Sequence, residues 1–357
     1  MAKILYAAGT YNHIRCFHTD YIEALRKEGH EVLTMASGEG ADFEVSFEKK
    51  MLSPKNFASW RRISKIVKEE KFDAILLNTT LAAFNVRMAL SRKRPRVVNL
   101  VHGYMFEKKP KGLKEKIFLL AEKHLRKKTD GIMVMNEDDL VSAKKYRLTG
   151  GETVLIRGMG AELKPPRMTE SQIRDSLDSE DKYAICFVGE LCSAKNQEML
   201  IRLLPRIKES IPNAVLWLLG RGGGEADLRK LAQDLSVADL VRFTGYVDNP
   251  TDYVRAADLY VSPSKKEGLP FNVIEALGAA KPIIVTNIRG HRDLITDTET
   301  GFLFDKDSPE ELLVKINAIH SSEALCNEEK QREFYDKYSK AEVFDNTLGV
   351  MKSLLKI

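Results

Sequence analysis

Two carboxylates, Glu267 and Glu275, stand eight positions apart, with a Gly268-Leu269-Pro270 turn and the start of a helix between them. The preceding Ala257-Asp258-Leu259-Tyr260-Val261 reads as a short buried strand. Glu267 then falls on a loop at the carboxyl end of a strand, where open α/β sheets place their ligands. Pro270 suits the first turn of a helix, because its missing N–H would be unpaired there anyway. The backbone N–H groups of that turn, running into Phe271, can hold an anion such as a diphosphate. Glu275 lies between one and two turns further in and can accept hydrogen bonds from a diol such as a ribose. A diphosphate next to a diol is the chemistry of a sugar nucleotide.

Other residues sit at similar strand ends. Lys195 closely follows a strand ending at Val188 and is a cation candidate for the diphosphate. Gly220-Arg221-Gly222-Gly223-Gly224 follows a strand and precedes a helix, so its backbone can approach a ligand closely; a tight turn reads equally well. The closing glycine of a dinucleotide fingerprint is Glu225 here, which disfavours a nicotinamide-dependent reductase. His102 follows the apolar run Val97–Val101, at the ligand edge of a sheet. Gly9-Thr10 ends the first strand, with His13 and His18 nearby; His18 could as well be a structural cap. Asn78-Thr79-Thr80 ends another strand and could touch an acceptor. Asp305-Lys306-Asp307 spells a D-x-D but reads as a solvated turn, and neither a zinc nor an EF-hand pattern is present.

The Glu-x7-Glu spacing resembles the signature of retaining glycosyltransferases of family 4, which have the two-domain GT-B fold. Phe187-Val188-Gly189-Glu190-Leu191 with Lys195-Asn196, Leu218-Leu219-Gly220-Arg221-Gly222 and Phe243-Thr244-Gly245-Tyr246 precede it in that family's order. The resemblance covers nearly the whole C-terminal half. The N-terminal half is similar, more loosely, to the branch that builds bacterial exopolysaccharide, capsule or O-antigen. The resemblance assigns Glu267 to the donor sugar's hydroxyls, Glu275 to the ribose, and Gly268, Leu269, Pro270 and Phe271 to the sugar and phosphates. It places Gly220 and Arg221 beside the nucleotide, and Tyr246 at the base, stacking or simply packing. His102 matches a His-Gly position that helps hold the donor near the acceptor, and Gly9 faces the same cleft. The family usually pairs its lysine with an arginine where this chain has Glu190. That carboxylate then points elsewhere, to Lys195 or an acceptor, and Arg221 or Arg289 supplies the missing charge. Helix amides and basic residues replace a metal in such enzymes, so neither metal nor cofactor is expected.

These residues need a scaffold, and the apolar patterning supplies one. Strands are expected at Lys3–Ala8, Glu31–Met35, Ala74–Asn78, Val97–Val101, Gly131–Met135 and Val154–Ile156. Helices are expected at Phe17–Glu28, Pro54–Glu70, Leu81–Ser91 and Glu137–Tyr146, the last capped by Asn136. This alternation implies a parallel sheet covered on both faces. Lys164-Pro165-Pro166-Arg167 breaks the rhythm, and the polar segment Thr169–Lys182 follows. The pattern restarts with strands at Tyr183–Val188, Ala214–Leu219, Val241–Phe243, Leu259–Ser262, Pro282–Thr286 and Phe302–Phe304, and helices at Asn196–Ser210 and Glu225–Leu235. This patterning implies an α/β fold class, and the resemblance implies two Rossmann-like parallel-sheet domains facing across a cleft. Residues 1–164 are expected to bind the acceptor and 165–338 the nucleotide-sugar donor. The resemblance implies that a C-terminal helix, 339–357, crosses back to the first domain.

At 357 residues the chain is long for a single core. Its four cysteines, Cys16, Cys186, Cys192 and Cys326, have no metal-like spacing and read as reduced thiols of a cytoplasmic protein. The start is too soon broken for a signal peptide, and no apolar run approaches the ~18 residues that span a bilayer. The net charge of +5 is uneven, for Lys108–Lys128 holds nine Lys or Arg. Leu113, Ile117, Phe118, Leu119, Leu120 and Leu125 give that stretch roughly helical spacing. Such a helix can lie on an anionic inner leaflet or pack on its own sheet. Nucleic-acid binding is not expected, since aromatics do not interleave the basic stretch. The resemblance thus implies transfer of a hexose or N-acetylhexosamine from a UDP-linked donor to a lipid-linked saccharide. A UDP-sugar 2-epimerase of the same fold and a non-catalytic nucleotide-binding partner subunit are the alternatives.

Overall fold

A computed structural model describes residues 1–48, 53–296 and 298–357. They form two compact units, Met1–Gly160 with Lys340–Ile357, and Ala161–Ser339. The chain leaves the first unit ahead of the Lys164–Arg167 stretch. Ala161 already belongs to the second, where its N–H donates to the Tyr338 carbonyl at 2.9 Å and it bridges Ser339.

The first unit holds strands β1 (Lys3–Thr10), β2 (Glu31–Ser37), β3 (Phe43–Glu44), β4 (Ala74–Asn78), β5 (Arg96–Val101), β6 (Gly131–Val134) and β7 (Glu152–Leu155). They pair in parallel in the order β3-β2-β1-β4-β5-β6-β7. Ile4 lies opposite both Val32 and Ala74, which sets the central register. Ile4 to Ala8 and Ala74 to Asn78 are wholly buried. Near-continuous burial marks strands covered on both faces. Leu5, Met35, Ile63, Ile75, Leu77 and Val97 form one core cluster of this unit. Burying each such side chain contributes roughly 1.5–3 kcal/mol.

The second unit holds β8 (Tyr183–Val188), β9 (Ala214–Leu219), β10 (Val241–Gly245), β11 (Leu259–Ser262), β12 (Ile283–Thr286) and β13 (Phe302–Phe304). Their order is β10-β9-β8-β11-β12-β13, again parallel. In both units the chain walks outward from its first strand, then returns to that strand's other side. At this reversal neighbouring loops diverge and leave a crevice at the strands' carboxyl ends. The crevices lie between β1 and β4, and between β8 and β11.

Two expectations need correction. The helix expected over Phe17–Glu28 is two helices, Tyr11–Phe17 and Thr19–Lys27, with His18 between them at φ −128° and ψ −8°. His18 makes no side-chain cap; its ring is buried and its Nδ1 lies 2.8 Å from Tyr6 Oη on β1. The buried polar contact outweighs helix continuity. The polar segment Thr169–Lys182 contains the helix Glu170–Ser176, closed by a Thr169/Gln172 capping box. Its brevity hid it from periodicity.

Helix Lys340–Leu355 packs against β4, β5 and β6. Arg96 Nε donates to the Leu354 carbonyl, and Thr347 Oγ1 donates to the Gly158 carbonyl at 3.1 Å. Gly131 has no side chain where Leu354 presses down, at 3.2 Å from a built Cβ position.

The basic helix, Leu113–Leu125, is held by one buried ion pair. Arg87 is fully buried and grips Glu122 through two bonds of 2.9 and 2.8 Å. Breaking such a pair costs about 3–5 kcal/mol, because the other charge stays buried. Leu119 and Leu125 turn inward, while Leu113, Ile117 and Leu120 are 76%, 51% and 64% exposed. Packing on the sheet therefore accounts for part of this apolar stripe, not all of it. Among the described residues, no helix is long and apolar enough to cross a membrane.

Candidate functional site

A cavity of about 640 Å³ opens at the carboxyl ends of β8 and β9. That volume suits a small-molecule site. Glu190, Gly220, Arg221, Tyr246 and Glu275 all line it. They come from four separate segments, and the parallel sheet brings their loops to one edge. Glu162, Lys164, Asn249 and Thr251, none of which stands out by motif, line it too.

The glycines of the Gly220–Gly224 loop serve the protein's own backbone. A Cβ on Gly220 would lie 2.0 Å from the Gly189 carbonyl oxygen, and one on Gly222 would lie 2.2 Å from that of Leu191. Gly220 also has φ +139°. The loop is thus the tight turn, packed against residues 189–191, and the cavity begins beside it. Arg221 extends from this turn with an exposed side chain. Tyr246 is 68% exposed, so its ring is open to a flat partner.

Glu275 is the carboxylate that the fold perturbs most. Burial pushes its pKa up to about 7, against a smaller downward pull from Lys164. Near neutral pH it stands between its acid and its carboxylate. Lys164 is held by its Nζ donating to the Asp248 carbonyl at 2.8 Å.

Lys195 and Glu267 form a pair at 2.6 Å across the β8–β11 crevice. Of the two partners expected for Glu190, Lys195 or an acceptor, Lys195 is taken by Glu267. Glu190 is exposed at the cavity, and its carbonyl accepts from Gln197 Nε2 at 2.7 Å. Arg289, the alternative extra cation, is buried, and its Nε donates to the Glu267 carbonyl at 3.2 Å. It buttresses the loop, and it is not part of the cavity wall. Lys195 and Gly268 to Phe271 also lie outside that wall. Helix Phe271–Gly278 starts one residue after Pro270, which is its cap residue. Asn272 fastens this helix to the sheet, its Nδ2 donating to the Val188 carbonyl at 2.6 Å.

Behind the Glu267 loop lies a buried network that the motifs did not mark. His291 Nδ1 is 2.9 Å from the Thr286 carbonyl and its Nε2 is 3.5 Å from Ser262 Oγ. Thr286 Oγ1 donates to the Ser264 carbonyl at 2.6 Å. Burial lowers the His291 pKa to about 4, with Glu267 pulling the other way. The only sequence signal for His291 is that it follows Arg289-Gly290 after a strand.

In the first unit, His102 stands at the carboxyl end of β5 and shares that edge with His13 and His18. Burial holds the His102 pKa at about 3 and that of His13 at about 4, and His18 well below its usual value. Gly9, at the end of β1, donates its N–H to Thr79 Oγ1 at 2.9 Å. A Cβ on Gly9 would meet that oxygen at 3.0 Å. Gly9 thus lets β1 and the β4 loop approach each other. Thr79 itself has φ +68° and ψ +142°, strained for a β-branched residue. Such outliers cluster at ligand sites.

Comparisons with known proteins agree with these two units. The family model described as Glycosyl transferases group 1 matches residues 168–341, and that described as Glycosyltransferase Family 4 matches 19–157. EpsD of Bacillus subtilis, named as a glycosyltransferase, is 30% identical over 341 residues, 91% of this chain and 89% of its own. An Escherichia coli UDP-Gal:alpha-D-GlcNAc-diphosphoundecaprenol alpha-1,3-galactosyltransferase is 26% identical over 73% of this chain and 70% of its own. The structure of Anabaena HepE in complex with UDP superposes with a TM-score of 0.77 at 18% identity, covering 99% of this chain and 100% of that one. At that identity the likeness is one of fold, and the fold is GT-B.

Proposed function

The chain belongs to glycosyltransferase family 4, and on that premise we propose a retaining transferase acting on a UDP-linked hexose or N-acetylhexosamine. The acceptor is a lipid-linked saccharide in surface polysaccharide synthesis. The observation that carries this reading is the cavity at β8 and β9, which gathers Glu190, Gly220, Arg221, Tyr246 and Glu275. An exposed ring, a cation and a poised carboxylate around one cavity match a base, a diphosphate and a ribose. The names of the E. coli galactosyltransferase and of the HepE–UDP complex support the nucleotide and the lipid-linked acceptor.

In this reading Tyr246 meets the base and Glu275 the ribose hydroxyls. Arg221 and Lys195 meet the diphosphate, without a metal there. Glu267 orients Lys195 and receives the donor sugar's hydroxyls. The backbone at Gly268, Leu269, Pro270 and Phe271 lies along the sugar and phosphates. His102 holds the donor near the acceptor. The acceptor oxygen bonds to the anomeric carbon on the face that the leaving phosphate vacates. The carbon–oxygen bond to phosphate breaks, and a phosphate oxygen takes the acceptor's proton. Holding these groups in register supplies orientation, and the cations stabilise the charge that develops on the leaving phosphate.

The acceptor's lipid places the enzyme at the cytoplasmic face of a membrane. Helix Leu113–Leu125 is the proposed contact, since Leu113, Ile117 and Leu120 stand exposed among lysines.

Calorimetry with UDP, GDP, ADP and NAD, with and without magnesium, tests the donor site on wild type and Glu275→Ala. UDP binding that needs no magnesium and weakens in the variant supports the reading. NAD binding without nucleoside-diphosphate binding overturns it. UDP binding without sugar transfer to any lipid-linked acceptor moves the assignment to the partner subunit, and interconversion of a UDP-sugar moves it to the epimerase.

A further inference from the structure

Three histidines, His13, His18 and His102, gather at the carboxyl edge of the first sheet. His13 comes from the helix Tyr11–Phe17, His18 from the break after it, and His102 from the loop after β5. One ring nitrogen from each lies within 4.8 Å of the others. His13 Nε2 and His18 Nε2 are 3.2 Å apart. For metal–nitrogen bonds of 2.0–2.1 Å, the edge of a tetrahedron is roughly 3.3 Å. The Nδ1 of His18 is 2.8 Å from Tyr6 Oη. With its proton directed there, His18 keeps a lone pair on Nε2, facing His13. A ligating histidine held through its other nitrogen is the usual arrangement around a metal. His102 supplies a second, independent sign. Its Nε2 is buried and has no hydrogen-bond partner. A buried polar atom without a partner costs about 1–3 kcal/mol, so it calls for an explanation.

We propose that His13, His18 and His102 form a binding site for a divalent transition-metal ion of the zinc class. Three neutral imidazoles suit such an ion and suit magnesium or calcium poorly, since those prefer oxygen. Burial keeps all three rings in the neutral form that ligates. Three protein ligands leave a fourth position open to water or to a substrate oxygen. The site lies in the first unit, so it does not conflict with a metal-free diphosphate site in the second. It does revise the expectation that the chain has no metal at all. The proposal stands on this cluster alone and does not depend on the transferase reading.

The test uses the full chain, stripped with EDTA and dialysed. Zinc is titrated against a chromophoric chelator, and cobalt(II) is followed by its visible absorption. The expected result is one equivalent of zinc, and a cobalt spectrum with the strong bands of a tetrahedral or five-coordinate site. His13→Gln and His102→Gln should each abolish stoichiometric binding, and His124→Gln, on the basic helix, should leave it unchanged. Tyr6→Phe should weaken it about 10-fold, the usual loss for a supporting group. Should the variants unfold, zinc protection of His13 and His102 from diethyl pyrocarbonate is read on the wild-type chain by mass spectrometry. Absence of stoichiometric binding, binding that survives loss of His13 and His102, a six-coordinate cobalt spectrum, or no protection would each overturn the site.

Discussion

The carboxyl edges of the two sheets share a topology and differ in charge. The first gathers three imidazoles, a buried His18 and the half-buried His13 and His102, and the same edge carries a strained Thr79. The second carries the Lys195–Glu267 pair, Arg221, Glu190, Lys164 and a half-neutralised Glu275. A parallel sheet with this strand order offers a crevice and leaves its chemistry to the loops. The charged edge suits a nucleoside diphosphate. The uncharged edge suits nitrogen ligation and the hydroxyls of a saccharide.

The largest expected effect tests the charged edge. Glu267→Ala removes the partner of Lys195, and sugar transfer, read as UDP release with acceptor present, should fall about 100- to 1000-fold. In a double-mutant cycle, Lys195→Ala and Glu267→Ala should couple by about 1–3 kcal/mol, as residues in direct contact do. Additive losses would mean that the pair does not act as a unit.

The two edges should also respond to pH in opposite directions. Glu275 has a pKa raised from 4.5 to about 7 in the folded chain. Its contribution to stability is full below pH 4.5 and is lost as pH rises through 7. A shift of that size corresponds to about 3 kcal/mol. Glu275→Gln should flatten this alkaline loss, measured by urea unfolding between about pH 5 and 8. UDP should also bind more tightly as Glu275 ionises, and the variant should lose that dependence. The histidines behave in the reverse sense, with folded values lowered to about 4 for His13 and about 3 for His102. Their contribution is full above the ordinary 6.5 and is lost as pH falls toward those values. With chelator present, hydrogen exchange in Tyr11–Phe17 and Thr19–Lys27 should rise on acidification before it rises in Phe271–Gly278. The same order in both units would break the contrast.

The smallest effect concerns the surface. Replacing Leu113, Ile117 and Leu120 together by serine should change stability by less than about 0.5 kcal/mol per site, since all three are exposed. Sedimentation with anionic vesicles should nonetheless drop severalfold for this variant. Unchanged sedimentation would remove the membrane contact.

Much of the fold was legible because buried parallel strands are continuous apolar runs, as at Ala214–Leu219 and Ala74–Asn78. Short or polar elements were not. The helices Glu170–Ser176 and Pro250–Ala256 are seven residues each, too short for a periodic signal. The break at His18 was hidden because its cause, Tyr6, is twelve residues away and on another element. Within the second unit, Glu275 and Tyr246 could be singled out by motif and lie where one cavity gathers them. Lys164 and Thr251 reach the same cavity without any motif, brought there by chain path alone.

Residue types and their spacing determined the βα alternation, the loops that end strands, and the pairing of Glu267 with Glu275 as the residues to watch. Those properties are local, set by the period of apolar side chains and by turn chemistry. Only the tertiary structure decided that Lys195 turns to Glu267 and not to Glu190, that Glu275 sits near neutrality, and that three histidines converge. Partner choice, desolvation and convergence depend on distances between segments far apart in the chain, and no local pattern encodes those distances.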